Sequence, residues 1–175
     1  INPLIGGKAT TEFERLLVML MSDEFAELLV YKARVRLDGD NSEPPHTKLD
    51  ALVRNWQVIF PRNKILRESG RLLFSNDSGD KPYGAIKLSD GEKAALYYIG
   101  ATLYAPKNAV ILVDAPETFI HRSIMQNMWN VIEEMRPDCT FVYSTHDIEF
   151  ASSRIANTCI WIKSFDVENE SWDYE

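Results

Sequence analysis

Apolar residues recur along the first 60 positions at helical intervals. Phe13, Leu16, Leu17, Leu20 and Met21 share one stripe, and Thr11 with Glu14 has the spacing of a capping box, which predicts a helix with a capped first turn. Ser22-Asp23 has the chemistry of a restart, giving a second helix that carries Phe25, Leu28 and Leu29. Residues 38–47 gather turn formers. After them Thr47 and Asp50 open a helix with Leu49, Leu52, Val53, Trp56, Ile59 and Phe60 on one side, and Pro61 ends it. Two short apolar runs at 64–67 and 71–74, joined around Ser69-Gly70, predict a hairpin.

Beyond the polar loop Gly79-Asp80-Lys81-Pro82 the pattern changes to alternating elements. A helix is predicted over 90–104, a strand over 109–113, a helix over 123–135, a strand over 140–144 and a last strand over 158–163. Strand, helix, strand with runs apolar on both faces predicts a parallel sheet covered on two sides. The expected organisation is a helical subdomain with a short hairpin over 1–82, an α/β part over 83–165, and an acidic linker or tail over 166–175.

Composition narrows this picture. At 175 residues, 45% hydrophobic and 26% charged, the chain has the balance of a globular domain rather than a disordered segment. The formal net charge of −7 argues against an extended basic surface that grips nucleic acid. Asp166, Glu168, Glu170, Asp173 and Glu175 supply five of those charges, leaving −2 on the rest, so a local basic patch stays open. Cys139 and Cys159 form no CxxC and have no His at ligand spacing, which supports neither a zinc site nor a disulfide framework. No apolar run approaches the roughly 20 residues of a membrane span, and a reducing cytoplasm is the simplest compartment.

Three short segments carry candidate chemistry. The apolar run Val110-Ile111-Leu112-Val113 ends in Asp114, followed by Ala115-Pro116-Glu117. Ligands gather at the carboxyl ends of parallel strands, where an Asp can hold magnesium through water beside phosphates; an Asp before Pro is also ordinary turn chemistry. Upstream, Ser89-Asp90-Gly91-Glu92 has capping-box spacing and opens a helix. The same Ser hydroxyl, close-approach Gly and free helix amides suit a terminal phosphate. Downstream, the next strand runs into Ser144-Thr145-His146-Asp147, where His146 is either a hydrogen-bonding switch or a solvent-facing side chain beside an N-cap Thr.

In this order and spacing the series resembles the signature motif, Walker B motif and switch histidine of ABC-type ATPases, over residues 83–165. Within that class, Asp114-Ala115-Pro116-Glu117 through His121-Arg122-Ser123 is similar to the soluble ATPases related to OLD-type and SMC-type proteins. The first helix and the ending around Trp161 and Trp172 look like prokaryotic defence-associated members, some of which carry a Toprim-like nuclease module. The resemblance implies an α/β fold, a partial P-loop NTPase parallel sheet flanked by helices, with ATP and Mg2+ as cofactors. It implies that Asp114 holds the magnesium shell and that His146 is the switch. Ser89, Asp90, Gly91 and Glu92 would meet the γ-phosphate of ATP bound on a second head, so that ATP joins a homodimer. A role in DNA maintenance or anti-phage defence, with nucleic acid or a nuclease module as partner, follows from the same resemblance.

The chain departs from the family pattern at three places. Where the family holds the Glu that orients the hydrolytic water stands Ala115, whose methyl cannot polarise water, so binding without efficient hydrolysis is expected. Phe119 replaces one family His and leaves His121. No GxxxxGK[ST] occurs; Gly6-Gly7-Lys8-Ala9-Thr10 resembles a remnant without the preceding strand. The expectation is that an upstream Walker A segment of the same protein supplies the phosphate loop. A scaffold that keeps the fold without turnover is the competing expectation.

Among the remaining residues, Trp56, Trp129 and Trp161 are expected in the core. Arg62, Lys64, Arg67 and Arg71 form a local basic cluster, read as a solvated face and as the best local candidate for nucleic-acid or partner contact.

Overall fold

The structure, a computed structural model, describes residues 11–38, 43–68, 70–77, 81–154 and 158–175. The segment Gly6 to Thr10 and parts of the loops at 38–47, 69–70 and 79–82 lie outside the described residues. Two compact units are present, one up to Ser144 and one from Thr145 to Glu175.

In the first unit, helix α1 spans Glu12–Asp38. The Thr11 amide donates to Glu14 Oε2 at 2.9 Å and the Glu14 amide to Thr11 Oγ1 at 3.2 Å, which is the expected capping box. Ser22-Asp23 does not restart the helix, contrary to the sequence expectation. Asp23 instead takes tertiary partners, accepting from the Tyr104 hydroxyl at 2.8 Å and pairing with Lys48 at 3.4 Å, so its carboxylate does not compete for local amides. Burial and then this hydrogen bond raise the Tyr104 phenol well above its ordinary range. Helix α2, Lys48–Ile59, is capped by Thr47 with the reciprocal Asp50 bond, and buries Leu49, Leu52, Trp56 and Ile59.

Strands β1 (Asn63–Glu68), β2 (Arg71–Asn76) and β3 (Tyr83–Gly84) form an antiparallel sheet in which Ile65 faces Phe74 and Phe74 faces Tyr83. The short β3 carries no periodicity that a sequence reading can use. Trp56 and Phe74, both buried, pack edge to face at 5.6 Å and fix the sheet on α2. Arg67 ties the sheet to both helices by pairing with Glu24 of α1 and with Asp50 of α2. Burial raises the Glu24 carboxyl although Arg67 opposes it. At Asp50 burial also pushes upward, but bonds from the Thr47 amide and Arg67 outweigh it and lower the carboxyl. Within the basic cluster at 62–71, Arg67 is committed to Glu24 and Asp50, and Lys64 stands 3.8 Å from Asp77.

Helix α3, Asp90–Tyr104, strand β4, Val110–Asp114, helix α4, Arg122–Met135, and strand β5, Thr140–Ser144, follow within a residue or so of the predicted bounds. β4 and β5 pair in parallel, from Val110 opposite Thr140 to Asp114 opposite Ser144. Exposure alternates along both strands, so among the described residues the sheet is covered on one face rather than two. Tyr143 packs on Trp129 of α4 at 5.3 Å, and Trp129 on Tyr98 of α3 at 5.0 Å. On the other face Val110 and Val142 are exposed and Leu112 is 75% exposed.

Arg136, just past α4, closes the α3–β4 corner. Its guanidinium donates to the carbonyls of Thr102, Ala105 and Pro106 at 2.8–2.9 Å and grips Asp138 through two further bonds at 2.8 and 2.9 Å. The Ala105 carbonyl is the C-cap acceptor of α3, and the Thr102 carbonyl, which also accepts the Ala105 amide at 3.2 Å, is shared between the two donors.

The second unit holds helix α5, Ile148–Ser152, and the antiparallel pair β6, Ile162–Asp166, and β7, Ser171–Tyr174. The last predicted strand is thus displaced to 162–166, and the acidic end forms the turn and second strand of its hairpin. Phe165 stacks against Trp172 at 4.7 Å and Lys163 pairs with Glu175 at 2.8 Å. Trp161 is exposed rather than in the core, since its strand has one partner strand and no covering layer among the described residues. Among the described residues no helix is long and apolar enough to cross a membrane.

Candidate functional site

Ser89 is the N-cap of α3, with extended backbone. Its amide and hydroxyl both donate to Glu92 Oε2 at 2.8 Å, and its Oγ accepts the Glu92 amide at 3.3 Å. The second oxygen of Glu92 is held at 2.6 Å by the Asn63 amide nitrogen at the start of β1. The Asn63 backbone carbonyl in turn accepts the Trp56 indole N–H at 2.8 Å. The helical part therefore orients the first turn of α3 through a chain of bonds from a buried Trp. Sequence reading missed Asn63 because its role depends on a contact 29 residues away.

Asp114 ends β4 exposed at the carboxyl edge of the sheet. Directly after it, Ala115 adopts φ 48°, in the left-handed region that a side chain disfavours. Its amide donates to the Ser144 carbonyl at 2.8 Å and its carbonyl accepts from Thr118 at 2.9 Å, so the chain leaves β4 still bonded to β5. Phe119 is also left-handed, with φ 64°. The Trp129 indole donates to the Pro116 carbonyl at 3.2 Å, and Ile120 is buried, which pins the 115–120 turn from below. His121 then caps α4 by accepting the Ser123 amide on Nδ1 at 3.2 Å.

The start of α3 and the turn after Asp114 touch. A Cβ on Gly91 would stand 2.7 Å from the Phe119 carbonyl oxygen, closer than real Cβ contacts allow. Gly91 is thus required by packing, whatever else it does. The first turn of α3 and the 114–120 turn therefore meet at Gly91 and Phe119. Asp90 is exposed, 3.8 Å from Lys93.

His146 lies in the second unit, between the end of β5 and α5, and is exposed. The residue that caps α5 is Asp147, whose Oδ1 accepts the Phe150 amide at 3.0 Å, and Thr145 Oγ1 accepts the Asp147 amide at 3.0 Å. Thr145 is therefore a turn residue rather than the helix cap.

These residues fit ATP and Mg2+ in part. Among the described residues no group of three or more His, Cys, Asp or Glu could hold a metal. A lone exposed carboxylate suits Mg2+, which is commonly bound by one or two carboxylates with water and substrate phosphates. The first-turn amides of α3 suit a phosphate oxygen, whereas the Ser89 hydroxyl gives its one proton to Glu92 and the carboxylates of Asp90 and Glu92 oppose any anion arriving there without a countercharge.

The sequence model of a family described as "AAA domain, putative AbiEii toxin, Type IV TA system" matches residues 22–152. No curated protein matches the chain.

Proposed function

The chain belongs to this family of AAA domains, and from that premise we propose that residues 83–165 are the signature-to-switch part of an ABC-type ATPase head, with residues 1–82 its helical subdomain and 166–175 an acidic extension. The AAA family is one of nucleotide-binding, ATPase-type domains that work with ATP and Mg2+. The finer reading is carried by one observation: the α3 start at Ser89–Glu92 packs on the turn that follows Asp114, through Gly91 and the Phe119 carbonyl.

When bound, ATP with Mg2+ supplies the phosphoanhydride to be cleaved and the charge that draws two heads together. Asp114 would hold the Mg2+ at the carboxyl edge of the sheet, through water. The amides of Asp90 and Gly91 would present the positive end of α3 to a terminal phosphate held by a second copy, and the Ser89 hydroxyl would turn from Glu92 Oε2 to join them. Glu92 fixes the Ser89 rotamer. His146 serves as the hydrogen-bonding switch at the end of the neighbouring strand. Ala115 offers no group to orient water, and losing a positioned base costs on the order of 10² to 10⁴ in rate, so binding outlasts hydrolysis. The phosphate cradle comes from an upstream Walker A segment of the same protein, a reading supported by the bare Val110, Leu112 and Val142 face. The proposed setting is DNA maintenance or anti-phage defence, with nucleic acid or a Toprim-like nuclease module as partner; the family description names a toxin–antitoxin system. Ala115 specifically favours a second reading, a scaffold on the same fold that does not turn over.

The test uses the full-length protein. Adding ATP and Mg2+ should add an association step in light scattering, and Ser89→Arg, which fills the contact with a long cation, should abolish that step. An ATP-dependent step unchanged by Ser89→Arg rejects the composite site. Ala115→Glu should raise ATPase turnover by about 10² or more; no gain leaves the scaffold reading.

A further inference from the structure

Helix α1 is apolar on more than the side it buries. Leu16, Leu20 and Glu24 face the core, yet Val18, Phe25 and Leu28 are 62%, 66% and 42% exposed and Met21 is half-buried. With about 3.6 residues per turn, Glu14, Val18, Met21, Phe25, Leu28 and Lys32 fall on one line, about a third of a turn around the helix from Leu20. Their spacing alternates four and three, the a/d rhythm of a coiled-coil seam. Met19, Val30 and Leu37 are exposed on a different side, where Ala26 and Ala33 thin the surface.

The seam is self-complementary when reversed. Glu14 and Lys32, Val18 and Leu28, and Met21 and Phe25 each have residue 23 as their midpoint. An antiparallel copy with its two-fold axis there sets acid against base at both ends and apolar against apolar between them. A parallel copy sets Glu14 against Glu14 and Lys32 against Lys32. The helix repeats this polarity: Glu12, Glu14, Asp23, Glu24 and Glu27 oppose one Arg15 in residues 12–27, whereas 28–38 carry Lys32, Arg34 and Arg36 against the terminal Asp38. The core contacts of α1, through Tyr97 to Glu12, Tyr104 and Lys48 to Asp23 and Arg67 to Glu24, lie off the seam and leave it accessible.

We infer that α1 is a dimerisation helix, which pairs antiparallel with α1 of a second copy of this chain along Glu14, Val18, Met21, Phe25, Leu28 and Lys32. Such an isologous contact repeats every pair twice and runs for roughly 27 Å at 1.5 Å per residue. It needs no nucleotide, which separates it from the head-to-head step proposed above.

Sedimentation of the full-length protein in nucleotide-free buffer tests this. The expected result is a dimer that Phe25→Glu dissociates and that Lys32→Glu weakens about tenfold or more through two reversed ion pairs. Adding Glu14→Lys to Lys32→Glu should restore association. Because Glu14 also closes the α1 capping box, a second pair, Val18→Glu with Leu28→Lys, should show the same loss and rescue with helical circular dichroism unchanged. A monomer without nucleotide overturns the inference. So does a dimer indifferent to both swaps, or a Phe25→Glu variant that loses stability without changing mass, which would mean that the chain itself covers the seam.

Discussion

Gly91→Ala separates a packing requirement from a free helix start. At an open position in a first turn, Ala is preferred to Gly, by up to about 1 kcal/mol. Here the added Cβ would meet the Phe119 carbonyl oxygen at 2.7 Å, whereas carbon and carbonyl oxygen in even a close contact stand about 3.3 Å apart. Something must give by about 0.6 Å. The obstacle is backbone, so no rotamer change relieves it, and its turn is held by the Trp129–Pro116 bond and the buried Ile120. Overpacking of this kind costs about 1–3 kcal/mol. After subtracting the helix preference the variant should be less stable by about 1 kcal/mol, or about 2–4 °C in Tm for a chain of this size. Urea unfolding of Gly91→Ala beside Gly84→Ala gives the comparison, since nothing lies within 4 Å of a Cβ at Gly84. A Gly91→Ala protein as stable as the parent would show that α3 and the 115–120 turn are not in contact, and the observation that carries the proposed function would go with it.

Arg136→Ala should lower stability by about 1–3 kcal/mol, because it removes the charge-assisted bonds to the Thr102, Ala105 and Pro106 carbonyls; urea unfolding reads the loss, and one below about 0.5 kcal/mol denies Arg136 its capping role. Asp138 supplies a pH dependence. Bonds from the Arg136 guanidinium and then from the Asn108 amide hold its carboxyl well below its ordinary 3.8. A depressed acid contributes stability that is full above the unfolded value and lost as pH falls toward the folded one. Tm should therefore drop below about pH 4, and Asp138→Asn should make that drop shallower; parallel curves for the two proteins contradict the assignment.

The legible parts of the sequence were those set by local chemistry. Thr11 with Glu14, Thr47 with Asp50 and Ser89 with Glu92 each announce a capped helix through side chains three residues apart, and all three boxes form. Period-3.6 patterns located α3 and α4, and short apolar runs located β4 and β5, because burial on this scale is written into neighbouring residues. What failed depended on distance. Asp23 reads locally as a helix start, but Tyr104 and Lys48, far along the chain, take its carboxylate. Val110, Leu112 and Val142 read as a buried face because apolarity alone does not report whether a covering layer is present. Nothing local marks Asn63 as the residue that steadies Glu92, or Phe119 as the reason for Gly91.

Ala115 is where fold and chemistry meet most closely. A left-handed non-glycine residue costs on the order of 1–3 kcal/mol and persists only where the surroundings over-determine it. The surroundings here are backbone: the Ala115 amide on Ser144, its carbonyl under Thr118, and the Trp129 indole on Pro116. None of these bonds uses the Ala115 methyl. A Glu at this position would inherit the same backbone frame and a half-exposed path for its carboxylate, so Ala115→Glu alters the chemistry offered beside Asp114 without removing what shapes the turn. Its turnover therefore reports on whether this site can hydrolyse ATP, and a silent Ala115→Glu protein with parental stability would speak against catalysis rather than against the fold.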